Sequence, residues 1–111
     1  MPNATLNYSR INEAGQIETV PQFIPATLQT VFTGDCHIVA IHLVNESGSA
    51  VTVTIMDMQT TPRAVVPPAI SLSAGTDMIW EFGGSGRLCP GGLTWVASAA
   101  NAVTGYARTR A

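Results

Sequence analysis

Apolar and polar residues alternate along much of this chain with a period of two, the mark of β-strands that present one face to a core. The alternation is cleanest in Val51-Thr52-Val53-Thr54-Ile55-Met56-Asp57-Met58. Ahead of it, Cys36-His37-Ile38-Val39-Ala40-Ile41-His42-Leu43-Val44-Asn45 is rich in β-branched residues, and the turn-forming Asn45-Glu46-Ser47-Gly48-Ser49 lies between the two runs. The pattern predicts a long β-hairpin over 36–58. Val39, Ile41 and Leu43 would meet Val51, Val53 and Ile55 in the core, with Thr52, Thr54 and Met56 outward. The other face of the first arm (Ile38, Ala40, His42, Val44) is also mostly apolar. A strand apolar on both sides is usually central and covered on both faces, here by another segment or another chain.

Residues 1–25 show neither period well. Ala14-Gly15-Gln16 suggests a turn, and Pro21 and Pro25 argue against a place in the middle of a sheet. These residues are expected to be an extended N-terminal arm or edge segment, with the folded domain over 26–111. Leu28-Gln29-Thr30-Val31-Phe32-Thr33 is the first good strand, with Leu28, Thr30 and Phe32 on one face. A loop follows the central pair over 59–68, held extended by Thr60-Thr61-Pro62 and Pro67-Pro68. Ile70-Ser71-Leu72 is a short strand. Asp77-Met78-Ile79-Trp80-Glu81-Phe82 is another, with Met78, Trp80 and Phe82 opposite Asp77 and Glu81. After the glycine-rich turns Gly83-Gly84-Ser85-Gly86 and Cys89-Pro90-Gly91-Gly92, Leu93–Ala97 and Val103–Arg108 predict a last hairpin around Ala99-Ala100-Asn101-Ala102. About seven or eight short strands at this spacing predict an all-β fold, a single antiparallel β-sandwich of jelly-roll or immunoglobulin-like kind.

The totals narrow the functional field. A chain of 111 residues makes one domain. Charged residues are 11%, against about a quarter in typical soluble domains. Lysine is absent, and the basic residues are Arg10, Arg63, Arg87, Arg108 and Arg110. So few charges do little to keep copies apart, which suits a subunit covered by neighbours. A net charge of −2 excludes a general nucleic-acid binder, which needs a basic face. No apolar run reaches the roughly 18 residues of a membrane helix. Met1-Pro2-Asn3-Ala4-Thr5 has neither the basic nor the apolar region of a secretory leader.

Candidate chemistry is sparse. Cys36, His37, His42 and Cys89 are the soft or imidazole ligands, but they lack the short paired spacing of a zinc site. Cys36 and His37, adjacent on a strand, point to opposite faces. No metal or other cofactor is therefore expected. Cys36 and Cys89 could pair at one end of a sandwich; two free buried thiols are favoured over that pairing. No G-x-S-x-G elbow occurs, and Asp35-Cys36-His37 cannot form a nucleophile–base pair from neighbours on one strand. Asp77 and Glu81 lie about 13 Å apart at about 3.3 Å per residue, too far for direct pairing. Gly83-Gly84-Ser85-Gly86 lacks the lysine and helix of a phosphate loop. Trp80, Trp95 and Tyr106 could form a sugar-stacking platform, though both tryptophans occupy the apolar parity of their strands and suit core packing better. No catalytic residue is assigned.

From Gly34-Asp35-Cys36-His37-Ile38-Val39-Ala40-Ile41-His42-Leu43-Val44-Asn45 onward the chain resembles small β-sandwich structural proteins of tailed bacteriophages. The resemblance continues in Val66-Pro67-Pro68-Ala69-Ile70-Ser71-Leu72-Ser73-Ala74-Gly75, in Trp80-Glu81-Phe82, in Gly92-Leu93-Thr94-Trp95 and in Val103-Thr104-Gly105-Tyr106-Ala107-Arg108. It covers roughly residues 34 to 110 and rests on β punctuation, so no site residue transfers. What it implies is a non-enzymatic virion protein assembled in the host cytoplasm, foremost a capsid decoration or cement subunit. Such a subunit would be homo-oligomeric and bound to the major capsid protein or other virion proteins, without nucleic acid or membrane as partner. The alternatives are a neck, tail or fibre component, or a carbohydrate-binding sandwich.

Overall fold

The computed structural model describes residues 3–4, 9–11, 15–67 and 69–110. Its strands are β1 (Asn3–Ala4), β2 (Ser9–Ile11), β3 (Gln16–Thr19), β4 (Gln22–Phe23), β5 (Gln29–Thr33), β6 (Cys36–Asn45), β7 (Val51–Asp57), β8 (Ile70–Leu72), β9 (Asp77–Glu81), β10 (Arg87–Cys89), β11 (Gly92–Ala97) and β12 (Val103–Arg110). No helix occurs among the described residues. The first sheet runs β1-β5-β11-β7-β8 and the second β10-β6-β12-β3-β2, all pairings antiparallel. The two sheets pack face to face as a sandwich, as the alternation predicts.

The strands outnumber the seven or eight expected because β1 and β2 form ahead of residue 16 and because two positions in the second sheet are split. β3 and β4 lie end to end along β12, and β9 and β10 lie end to end along β6. Pro21 falls in the first break, where it has no N–H to give to a ladder. Of the expected arm or edge segment, residues 16–24 thus reach into the second sheet, β3 sits between β12 and β2, and Ile24 is fully buried. Residues 1–2, 5–8 and 12–14 lie outside the described residues, and with them Ala14 of the expected turn; so does Pro68 of the expected Pro67-Pro68 stretch.

The hairpin expected over 36–58 is not one. β6 belongs to the second sheet and β7 to the first, so residues 46–50 form a corner between sheets. Ile41 and Leu43 share one core with Val51, Val53 and Ile55 across the sandwich, not side by side in a ladder. The last expected hairpin is corrected in the same way, with β11 in the first sheet and β12 in the second. Alternation decides which side chains turn inward, but it is equally satisfied by a partner beside the strand and by one facing it.

Two β-bulges shift the inward set. The β6–β12 register pairs Ile38 with Thr109 and Ala40 with Arg108, so Val39 has no partner on β12. Below the bulge Cys36 and Ile38 enter the core; above it Ile41 and Leu43 do. Ile38, expected on the outer face, is fully buried, while Val39 lies outside the core cluster. In β5 the register skips Val31 between Phe32–Leu93 and Thr30–Thr94, so adjacent Val31 and Phe32 are both fully buried. Leu28, expected on the strand's apolar face, precedes β5 and is 67% exposed. An extra residue in one strand resets its parity, and the sequence pattern carries no mark of it.

Trp95, Phe32, Ile24, Ile38, Ile41, Leu43, Ile55, Leu72 and Leu93 are the largest fully buried side chains. Each contributes about 1.5–3 kcal/mol relative to exposure. Asn45 and Asp57 are well paired in this interior, whereas Gln22 Nε2, Arg87 Nη1 and Arg108 Nε are buried without a hydrogen-bond partner among the described residues. Asn45, fully buried at the end of β6, donates its amide to the carbonyls of Ser49 (2.8 Å), Leu72 (3.0 Å) and Ser73 (3.3 Å). Its Oδ1 accepts from the Ser47 N–H and hydroxyl at 2.9 and 2.7 Å. That side chain ties the 46–50 corner to the end of β8.

Candidate functional site: the outer face of the second sheet

The two outer faces of the sandwich differ in character. On the first sheet the outward positions are chiefly hydroxylic: Thr52 and Thr54 on β7, Ser71 on β8, Thr94 on β11, with Met56 and Val96 among them. On the second sheet the register lines up outward side chains in rows. Phe23, Thr104, Val44 and Asp77 form one row, and Tyr106, His42 and Ile79 the next. Glu18, Arg108, Ala40 and Glu81 form the third. Directly paired residues on antiparallel strands project to the same face, so each row is a line of neighbours.

Ile79 is 57% exposed and Phe23 47%, at opposite sides of this face. Between them two open grooves meet at Pro21 and Tyr106. One, of about 330 Å³, is lined by Pro21, His42, Val44, Thr104 and Tyr106. The other, of about 380 Å³, is lined by Glu18, Thr19, Val20, Pro21 and Tyr106. Polar contacts hold the face in shape. The Tyr106 hydroxyl donates to Glu18 Oε2 at 2.7 Å, and the Thr104 hydroxyl donates to Glu46. His42 Nε2 lies 3.1 Å from Asp77 Oδ2, an exposed pair of the kind that contributes about 0–1 kcal/mol. Pro21 and Glu18 were not legible as face residues, because only the β3–β12 register brings them beside Tyr106.

The sequence candidates for chemistry are scattered by the fold. Cys36 and Cys89 come together inside the sandwich as directly opposed residues of β6 and β10, both free and buried. Each thiol donates to a carbonyl, Cys36 to Cys89 O at 3.9 Å and Cys89 to Arg87 O at 3.7 Å. The Cys36 side chain beside it lowers the Cys89 thiol pKa against the effect of burial, with the Arg87 charge assisting. The neighbouring Cys89 side chain and burial raise that of Cys36. His42 lies on the outer face, away from both thiols. No group of three or more His, Cys, Asp or Glu is placed to hold a metal ion among the described residues.

Comparison with family models, with curated proteins and with solved structures finds no match to this chain.

The aromatic candidates also part company. Trp95 is fully buried, its indole N–H donating to Gln29 Oε1 at 2.9 Å, and Trp80 packs half-buried on the core. Of the three, Tyr106 alone lies on the outer face. Asp77 and Glu81 sit two rows apart on β9, and Asp77 is occupied by His42. Asp57, 2% exposed, accepts from the N–H of Arg63 at 2.9 Å, the N–H of Gln59 at 3.3 Å and the Gln59 side-chain amide at 2.7 Å. Burial pushes its pKa up, but these hydrogen bonds and the Arg87 charge outweigh it, and the pKa lies below the ordinary value. Three donors on one carboxylate make Asp57 an organiser of the 58–63 turn, and it lines neither groove.

Proposed function

We propose that this chain is a non-enzymatic structural protein of a tailed-phage virion, foremost a capsid decoration subunit that binds its neighbours through the outer face of the second sheet. The observation that supports it most is the contrast between the two outer faces. One is lined mainly by threonine and serine; the other carries exposed Ile79 and Phe23 on either side of open grooves whose walls mix Pro21, Val44 and Tyr106 with polar side chains. Apolar side chains exposed at both rims of a grooved face are what a protein contact surface requires. The low charge and the resemblance to phage sandwich proteins point the same way. The test is addition of the purified protein to capsids that lack it. Saturable binding and a raised temperature of capsid disruption are expected; a protein that stays monomeric and leaves capsids unchanged overturns the reading.

The groove beside Tyr106 favours one alternative, a carbohydrate-binding sandwich, because the partly exposed Tyr106 ring lines it, is held by the Glu18 carboxylate and can stack on a sugar ring. Glycan-array binding that Tyr106→Ala abolishes would support that alternative, and an inert array would remove it.

A further inference from the structure

We propose that Cys36 and Cys89 are an oxidative modification site, closing into a reversible cross-strand disulfide that clips β10 to β6. This assignment stands independently of the role proposed for the protein. The register pairs Cys89 directly with Cys36. Opposed residues on antiparallel strands have Cα atoms about 4.5–5.5 Å apart. A disulfide spans about 4.4–6.8 Å between Cα atoms. Both residues point into the sandwich, where Cys36 is 1% and Cys89 0% exposed, so the bridge needs no change in pairing or in the direction of either side chain.

The place in the fold supplies the route for an oxidant. β10 is a three-residue strand at the edge of its sheet, held on one side by β6. A glycine-rich turn precedes it, Pro90-Gly91 follows it, and Leu88 at its centre is 51% exposed. Opening this strand breaks the three-residue pairing with β6 and the bonds from Met58 N–H to Pro90 O and from Gly91 N–H to Asp35, a local cost below that of unfolding the whole domain. Cys89 sits on the short edge strand with the Arg87 charge close by, so its sulfur is the one that meets the oxidant first.

The co-reactant is a small-molecule disulfide of the glutathione class. The Cys89 thiolate attacks one of its sulfurs, the S–S bond breaks, and one thiol leaves with a proton. Cys36, having given up its proton, then attacks Sγ of Cys89 in the mixed disulfide and expels the second thiol. Two protein thiols are oxidised and one small disulfide is reduced to two thiols, so atoms and electrons balance. A thiol reductant reverses both steps.

The full chain is incubated, folded, with glutathione disulfide, quenched with an alkylating agent under denaturing conditions, and read by intact mass and peptide mapping. A monomer two hydrogens lighter is expected, with a 36–89 cross-link that dithiothreitol removes. Because the bridge closes a long loop between residues 36 and 89, the oxidised form should melt higher by about 10 °C. Cys36→Ala and Cys89→Ala should each stop at a glutathione adduct or a free thiol; the wild-type result stands alone if either variant fails to fold. Two alkylated cysteines after prolonged incubation, bridging only between chains, or bridging only in denaturant would each overturn the assignment.

Discussion

The indole of Trp95, in the first sheet, lies against Gly105 of the second, so closely that a β-carbon at Gly105 would stand 2.9 Å from Cη2 of the ring. It would stand at the same distance from Cγ1 and Cδ1 of Ile24. Both neighbours are fully buried, so neither can swing aside. Gly105 is thus held by space: its lack of a side chain lets β12 settle on the largest residue of the core. Gly105→Ala should destabilise the domain by about 1–3 kcal/mol, the usual cost of overpacking a filled core. The midpoint of urea denaturation checks this, and an unchanged midpoint would contradict the contact.

How much of this was legible beforehand depends on which residues are asked. Period two in Val51–Asp57 gave the inward Val51, Val53 and Ile55 correctly, because β7 runs without a bulge. In β6 and β5 the same rule misplaced Ile38 and Leu28, since bulges at Val39 and Val31 reset the parity and leave no mark in the residue pattern. The two expected hairpins failed for another reason. Asn45 and Asn101 stand in connectors that suit a hairpin turn or a corner between sheets equally, and what decides is long-range pairing of β6 and β11 with strands far off in the sequence. The outer face was half visible. Ala40, His42 and Val44 announced a second apolar side to β6, whereas Phe23 and Glu18 join it through pairings with β12 across more than eighty residues.

Asn45 should be among the least replaceable polar residues. Its amide serves three carbonyls and its oxygen two donors, all at one buried corner. Asn45→Leu strands these groups, each at a desolvation cost of about 1–3 kcal/mol where water cannot reach it. A loss of at least about 2 kcal/mol in unfolding free energy is expected, with earlier proteolysis of the 46–50 corner. A variant as stable as wild type would show that water replaces the side chain freely.

Acid should weaken the fold partly through Asp57. Its folded pKa lies below the ordinary value of 3.8, because its hydrogen bonds and the Arg87 charge outweigh the burial that pushes it up. A depressed carboxylate contributes stability that is whole above the unfolded pKa and is lost as pH falls through the folded one. Unfolding free energy should therefore decline from about pH 5 downward. Asp57→Asn should be less stable at pH 7 and show a shallower decline. Parallel curves for the two proteins between pH 5 and 2.5 would remove Asp57 from the account.

The contrast between the two outer faces leads to the prediction that bears on function. If the second sheet's face is the contact surface, a charge at its exposed rim should block assembly while leaving the core untouched. Ile79→Arg and Phe23→Glu change residues that are 57% and 47% exposed, so both variants should keep wild-type melting within about 1 kcal/mol. Binding to capsids, or self-association seen by sedimentation, should fall at least tenfold, because a buried unpaired charge costs well over the 1.4 kcal/mol that a factor of ten represents. Thr54→Arg, outward on the first sheet, is the matched control and should bind as wild type does. Equal loss in all three variants would point to net charge as the cause. Loss confined to Thr54→Arg would move the contact to the threonine-rich face.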